Sequence, residues 1–161
     1  MRAMLNDAAC FTGHRRIPKA EYDQIKHKLE KTISQLTTQG ILRYLNGAAR
    51  GFDTLAAHIV LTARENNPAI ELVMALPCIN QDERWDEIDK ETYRVLLGQA
   101  DEIIYVSEQP YFDGCMKARN QYLIENSGTC VAYMKRGRSG TSQTVRLARE
   151  HGLDVINLAE G

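Results

Sequence analysis

The sequence predicts a single α/β domain of three layers, with helices on both sides of a mainly parallel sheet. Three observations lead there. Six short apolar runs alternate with helix-patterned segments, as strands joined by right-handed helical crossovers do. The 161 residues, 43% hydrophobic and 25% charged, suffice for one good core and leave no room for a second. Glycine-bearing segments follow the first, second and fifth runs, where the chain must turn at the end of a strand.

In order, the first run is Ala8 to Thr12. A helix follows with the stripe Tyr22, Ile25, Leu29, Ile33 and Leu36, ending at Gly40. The second run, Ile41 to Leu45, leads through Asn46-Gly47-Ala48-Ala49-Arg50-Gly51-Phe52-Asp53 into a helix with Phe52, Leu55, Ala56, Ile59, Val60 and Ala63 on one face. The third run is Ile70 to Leu76, and Asp82 to Gln99 then reads as a helix bearing Trp85, Ile88, Leu96 and Leu97. Glu102 to Val106 is the fourth run, and a less distinct helix covers about Met116 to Asn126. Thr129 to Met134 is the fifth, a helix starts near Gly140 and ends at Gly152, and Asp154 to Leu158 closes the chain.

Composition excludes several classes. The net charge of −1 gives no electrostatic footprint for tight nucleic-acid binding. No apolar run approaches the roughly 18 to 20 residues of a membrane span, and Met1 to Ala9 has no leader pattern, so the expected location is cytoplasmic. Cys10, Cys78, Cys115 and Cys130 form no Cys-x-x-Cys pair and read as reduced, partly buried thiols. His14, His27, His58 and His151 are too scattered for a metal cluster.

The candidate site lies at the carboxyl ends of the strands, where open parallel sheets bind ligands. Gly47 and Gly51 let the backbone turn sharply or approach a ligand, and the helix behind them offers N–H groups to an anion. Asp53 has a second reading as a plain N-cap accepting an N–H of the first turn. Arg50 is harder to explain, since a strand-to-helix turn requires no guanidinium. Gly13-His14-Arg15 turns the chain after the first strand and aims a cation at the same anion. Ser139-Gly140-Thr141-Ser142 suits a phosphate through hydroxyls and helix N–H groups, and equally suits an ordinary Ser or Thr cap. Arg119-Asn120 offers a guanidinium fork to phosphate or ribose, the alternative being a solvated helix face or an ion pair with Glu125. Trp85, Tyr111 and Phe112 could stack on a nucleobase; for Trp85 packing in or beside the core is the favoured alternative.

With these motifs in this order, the chain resembles the SLOG superfamily of Rossmann-like nucleotide-ligand domains, and within it the YpsA-like branch, over nearly its whole length. The resemblance rests on Phe11-Thr12-Gly13-His14-Arg15, on Gly47 through Ala57, on Gln81 with Trp85, on Met116 with Arg119-Asn120, and on Gly140-Thr141. The Ala49-Arg50-Gly51-Phe52-Asp53 stretch is also similar to the DNA-processing protein DprA, and the Met-x-x-Arg-Asn and Gly-Thr elements to the Lonely-guy-type phosphoribohydrolases. These relatives imply a nucleotide or ADP-ribose-like ligand held by the glycine loops and Arg119, with no cofactor required and a homo-oligomer compatible with the fold. The hydrolase branch has a glutamate two residues after its Gly-Thr pair, where this chain has Gln143; glutamine cannot exchange a proton as a carboxylate does. Asp53 and Asp113 are the carboxylates left to substitute, and nothing in the sequence sets either beside a scissile bond. The expected function is therefore binding or sensing of such a ligand without phosphoribohydrolase chemistry. The alternatives are a nucleoside-monophosphate phosphoribohydrolase-like enzyme and a DprA-like single-stranded DNA binder, the latter suggested by Arg50 and by Lys135-Arg136-Gly137-Arg138.

Overall fold

The computed structural model describes residues 6–159; Met1 to Leu5, part of the segment read as lacking a leader, lie outside them, as do residues 160–161. The strands are β1 (Ala8–Gly13), β2 (Arg43–Asn46), β3 (Glu71–Leu76), β4 (Glu102–Tyr105), β5 (Thr129–Tyr133) and β6 (Asp154–Asn157). The helices are α1 (Lys19–Thr38), α2 (Phe52–Asn66), α3 (Glu87–Gln99), α4 (Cys115–Glu125) and α5 (Gly140–Glu150). All six strands pair in parallel in one sheet, in the order β4-β3-β2-β1-β5-β6. The Rossmann-like three-layer arrangement expected from the sequence is therefore present, and the sheet is wholly rather than mainly parallel. No helix among the described residues is long and apolar enough to cross a membrane.

Alternation along the buried strands divides the core. Ala9, Phe11, Tyr44, Leu72, Met74, Leu76, Val131 and Tyr133 point into the larger half, against α1, α2 and α3. Ala8, Cys10, Leu45, Val73, Ala75 and Cys130 point into the smaller half, against α4 and α5. This division follows from crossover handedness. The chain steps from β1 to β4 in one direction through α1, α2 and α3, then returns to the far side of β1 for β5 and β6, so right-handed connections lay the later helices on the opposite face. All four cysteines are fully buried, more so than their sequence context implied, and Cys10 lies in register with Cys130.

One helix differs from expectation. Residues 79–84 form turns, and α3 starts at Glu87 because the Asp86 side chain caps it, accepting the Asp89 N–H at 2.8 Å. Trp85 consequently stands before the helix rather than on its apolar stripe, and Ile88 is 78% exposed.

Candidate functional site

The sheet reverses its direction of growth at β1. The segments leaving β1 and β5 turn to opposite faces and leave a crevice of about 370 Å³ between them. Gly13, His14 and Arg15 line it from the end of β1, Asp53 from α2, Arg119 and Asn120 from α4, and Ser139, Gly140 and Thr141 from the start of α5. Elements far apart in the chain thus converge at the position where open parallel sheets bind ligands.

The corner between β2 and α2 is held by its own polar groups. Asn46, fully buried at the end of β2, donates from Nδ2 to the Asp53 carbonyl at 2.8 Å, and its Oδ1 accepts the Ala48 N–H at 2.8 Å. That second bond supports Ala48 at φ 58, a left-handed conformation costing an L-residue roughly 1–2 kcal/mol. The Thr54 hydroxyl donates to the Ala49 carbonyl at 3.0 Å. Asp53 is not the N-cap: Gly51 occupies that position, and Asp53 in the first turn reaches backward, Oδ2 accepting the Ala49 N–H at 3.2 Å. Sequence reasoning missed Asn46; an asparagine two residues before a turn amide is a signature of the Asx turn and could have revealed it.

Arg119 forms the floor of the crevice. It is 4% exposed, donating from Nη1 to the Gly47 carbonyl and from Nε to Asn120 Oδ1 at 2.8 Å. Neither the solvated face nor the Glu125 ion pair applies, since Glu125 instead accepts from Gln121. Gly47 leaves room behind it: a Cβ there would lie 2.5 Å from Arg119 Nη1, so the guanidinium would have to shift. Burial pushes the guanidinium down from its ordinary value and the Asp53 charge pulls it back, yet an arginine remains a cation in such a setting. Asp53 is likewise buried, and loss of water raises its carboxyl to about 6 against the lowering effects of Arg119, the Ala49 N–H and Arg15.

Beside the crevice lies a second cavity of about 470 Å³, lined by Arg50, Gln81, Arg84, Trp85 and Tyr111, and sharing Arg15, Ala49 and Met116 with it. Trp85 is half-buried, edge-on to Tyr93 at 5.1 Å, and the Arg50 guanidinium sits 5.1 Å above its ring. Gln81 donates at 3.4 Å both to the Gly47 carbonyl and to the Tyr93 hydroxyl, whose ionisation burial pushes up to about 12. Trp85 and Tyr111 therefore share a wall, whereas Phe112 does not line this cavity.

The loops after β1 and β5 are tied by His14, whose Nε2 accepts the Lys135 N–H at 2.9 Å and whose ring stands edge-on to Tyr133. This bond needs the neutral ring. Burial and the Lys135 charge lower His14 below its ordinary 6.5, so the tie holds at neutral pH and is lost as pH falls through the folded-state value. In an NMR titration the His14 ring is expected to show a midpoint under 6.5, with the Lys135 amide shifting in step; a midpoint at or above 6.5 contradicts this.

Ser139 and Ser142 form a reciprocal capping box at α5, each side-chain oxygen accepting the other's N–H. The Ser139 hydroxyl is thus engaged by the cap, as its plain structural reading anticipated, while Thr141 is buried against the crevice. Gln143 is exposed and lines an adjoining groove between α4 and α5 with Lys117 and Glu150, which shares Met116, Asn120 and Gly140 with the crevice but does not bring Gln143 into its lining. Among the described residues no three His, Cys, Asp or Glu side chains are grouped as a metal site requires.

Fold and site together define a parallel α/β protein with an arginine-floored crevice at the switch point of its sheet. The chain belongs to the YpsA family, whose model, described as the YspA SLOG family, matches residues 12–151. It is similar to a UPF0398 protein of Bacillus pumilus, 32% identical over 116 residues, covering 71% of this chain and 61% of that one. It is also similar to the SPbeta prophage-derived protein YoqJ of Bacillus subtilis, 30% identical over 139 residues, covering 79% of this chain and 81% of YoqJ. Among solved structures, DNA processing protein A (DprA) from Streptococcus pneumoniae shares the fold, with a TM-score of 0.67 at 22% identity over 92% of this chain and 48% of that one. So does DNA processing protein A from Helicobacter pylori, with a TM-score of 0.67 at 18% identity over 95% of this chain and 65% of that one, a protein described as binding single-stranded DNA. The chain spans less than two thirds of the length of the B. pumilus relative and of both DprA chains.

Proposed function

We propose that this protein binds or senses a nucleotide or ADP-ribose-like ligand in the crevice, without phosphoribohydrolase chemistry. The observation that supports it most is the convergence of Gly13-His14-Arg15, the corner with Asp53, and Ser139-Gly140-Thr141 over the buried Arg119 cation. The start of α5 and Arg15 supply the setting for phosphate, by helix N–H groups and an exposed cation. The neighbouring cavity with Trp85 and Tyr111 supplies aromatic surface for a base. Family membership is in keeping with this reading, and Gln143, facing the α4–α5 groove, offers the crevice no carboxylate. The reading calls for no metal or cofactor.

The test is a thermal-shift series with AMP, ADP-ribose, NAD, cyclic nucleotides and short single-stranded DNA, since a ligand of the native state alone raises apparent stability. One or more nucleotides are expected to raise Tm. Arg15→Ala, an exposed position, is expected to abolish the shift while leaving the unliganded Tm within 2 °C or so, as surface substitutions usually do. Undiminished binding in that variant counts against the site.

A second reading is single-stranded DNA binding, favoured by the exposed run Lys135, Arg136 and Arg138 at the rim. A shift with DNA alone, falling steeply with salt, would move the assignment there.

A further inference from the structure

Three of the four buried side-chain atoms without a hydrogen-bond partner among the described residues surround the glycine corner: Arg50 Nε, Asp53 Oδ1 and Gln81 Oε1. The other, Ser127 Oγ, lies before the amino end of β5. A buried acceptor left unpaired costs free energy, so such atoms call for a partner. Asp53 is the most demanding of them, because it is a carboxylate only 6% exposed. One of its oxygens is fixed by the Ala49 N–H, and the group lines the crevice.

Its position says what the partner is. On one side stand the phosphate candidates Arg15 and the start of α5; on the other, across the shared wall of Ala49 and Met116, lies the cavity with Trp85. In a nucleotide the group between phosphate and base is the sugar. Ionised, a carboxylate is an acceptor only, and the donors a sugar presents are hydroxyls. Carboxylates take ribose hydroxyls in this way in dinucleotide-binding α/β domains.

We infer that the Asp53 carboxylate, turned slightly about its terminal bond to present an oxygen to the crevice it lines, accepts a hydrogen bond from a ribose hydroxyl of the ligand, so that the crevice selects ribonucleotides over deoxyribonucleotides. This rests on the nucleotide reading above and sharpens it, since such a site disfavours DNA. The acceptor is charged and the site is built around the missing donor, so a deoxy ligand leaves it unpaired and loses roughly ten- to a hundredfold in affinity.

The experiment is calorimetric titration of the wild-type protein with AMP, ADP-ribose and the 2′-deoxy and 3′-deoxy forms of AMP, repeated on Asp53→Asn after its folding has been checked by thermal melting. Asparagine keeps the shape and an acceptor for Ala49, and turns a donor toward the sugar. At least one deoxy form is expected to bind the wild type ten- to a hundredfold more weakly than AMP, and in Asp53→Asn the gap is expected to shrink below threefold. Equal binding of AMP and both deoxy forms by the wild type overturns the inference and leaves the nucleotide reading standing. A gap that persists in folded Asp53→Asn assigns the selection elsewhere and also overturns it. Failure of AMP and ADP-ribose alike to bind overturns both.

Discussion

Gly51→Ala is expected to lose roughly 3 kcal/mol or more of stability, a large share of what a domain this size possesses, and to lower the urea midpoint accordingly. Two effects coincide at this position. Gly51 holds φ +76, where a side chain costs roughly 1–2 kcal/mol. A Cβ there would also lie 2.3 Å from the Arg15 carbonyl oxygen and 2.4 Å from its carbon. The obstacle is backbone and cannot rotate aside. That backbone is held in turn, because the Phe52 N–H donates to the His14 carbonyl at 3.1 Å and the His14 ring is tied to Lys135. Relief of the collision therefore opens the junction between β1, the corner and β5 on which the crevice depends. Gly40→Ala provides the comparison: φ is +100 there but nothing stands within 4 Å, so only the conformational cost of about 1 kcal/mol is expected. Equal losses in the two variants would show that the close approach to Arg15 contributes nothing.

Much of this architecture was legible because it is written in local patterns. Strands flanked by helix-period stripes fix the layers, and the glycine corner after β2 announces itself because Gly47 and Gly51 serve close approaches, the first to the Arg119 side chain and the second to the Arg15 backbone. The expectation failed where a single polar group overrides a stripe. The apolar spacing of Trp85 and Ile88 suggested a helix from Asp82, but the Asp86 carboxylate sets its start at Glu87 and frees Trp85 to meet Arg50. Burial of Arg119 was not legible either. Helix α4 mixes Lys117, Arg119, Asn120 and Gln121 with Leu123 and Ile124, so nothing local tells the exposed Lys117 from the buried Arg119. What decides is the Gly47 carbonyl, 72 positions away in the chain, which only the folded sheet brings under the guanidinium. The same holds for Asp53, whose cap-like sequence position concealed a buried carboxylate facing backward into the corner.

Asp53→Asn is expected to stabilise the protein at neutral pH. Burial raises the Asp53 carboxyl from 3.8 to about 6 in the folded state, so the native protein binds the proton more tightly than the unfolded chain. Below the unfolded value both states are protonated and the stability is fully present. As pH rises through about 6 the folded protein must hold a buried charge that the unfolded chain holds in water, and roughly 3 kcal/mol is lost. Asparagine cannot ionise. The variant should therefore exceed the wild type by up to roughly 3 kcal/mol at pH 7.5 in urea unfolding, with the advantage fading toward pH 4. His14 works in the opposite sense, its lowered value removing stability as pH falls below 6.5, but it is present in both proteins and cancels in the difference. The attraction of Arg119 is already contained in the Asp53 value, which stands high in spite of it. A difference that does not change with pH, or a variant less stable at pH 7.5 than at pH 4 relative to wild type, would refute the assignment. A more stable variant also removes misfolding as the explanation for any loss of ribose selectivity. The native chain then keeps an ionised carboxylate at a cost to its own fold, which is the relation expected of a group retained for the ligand it contacts.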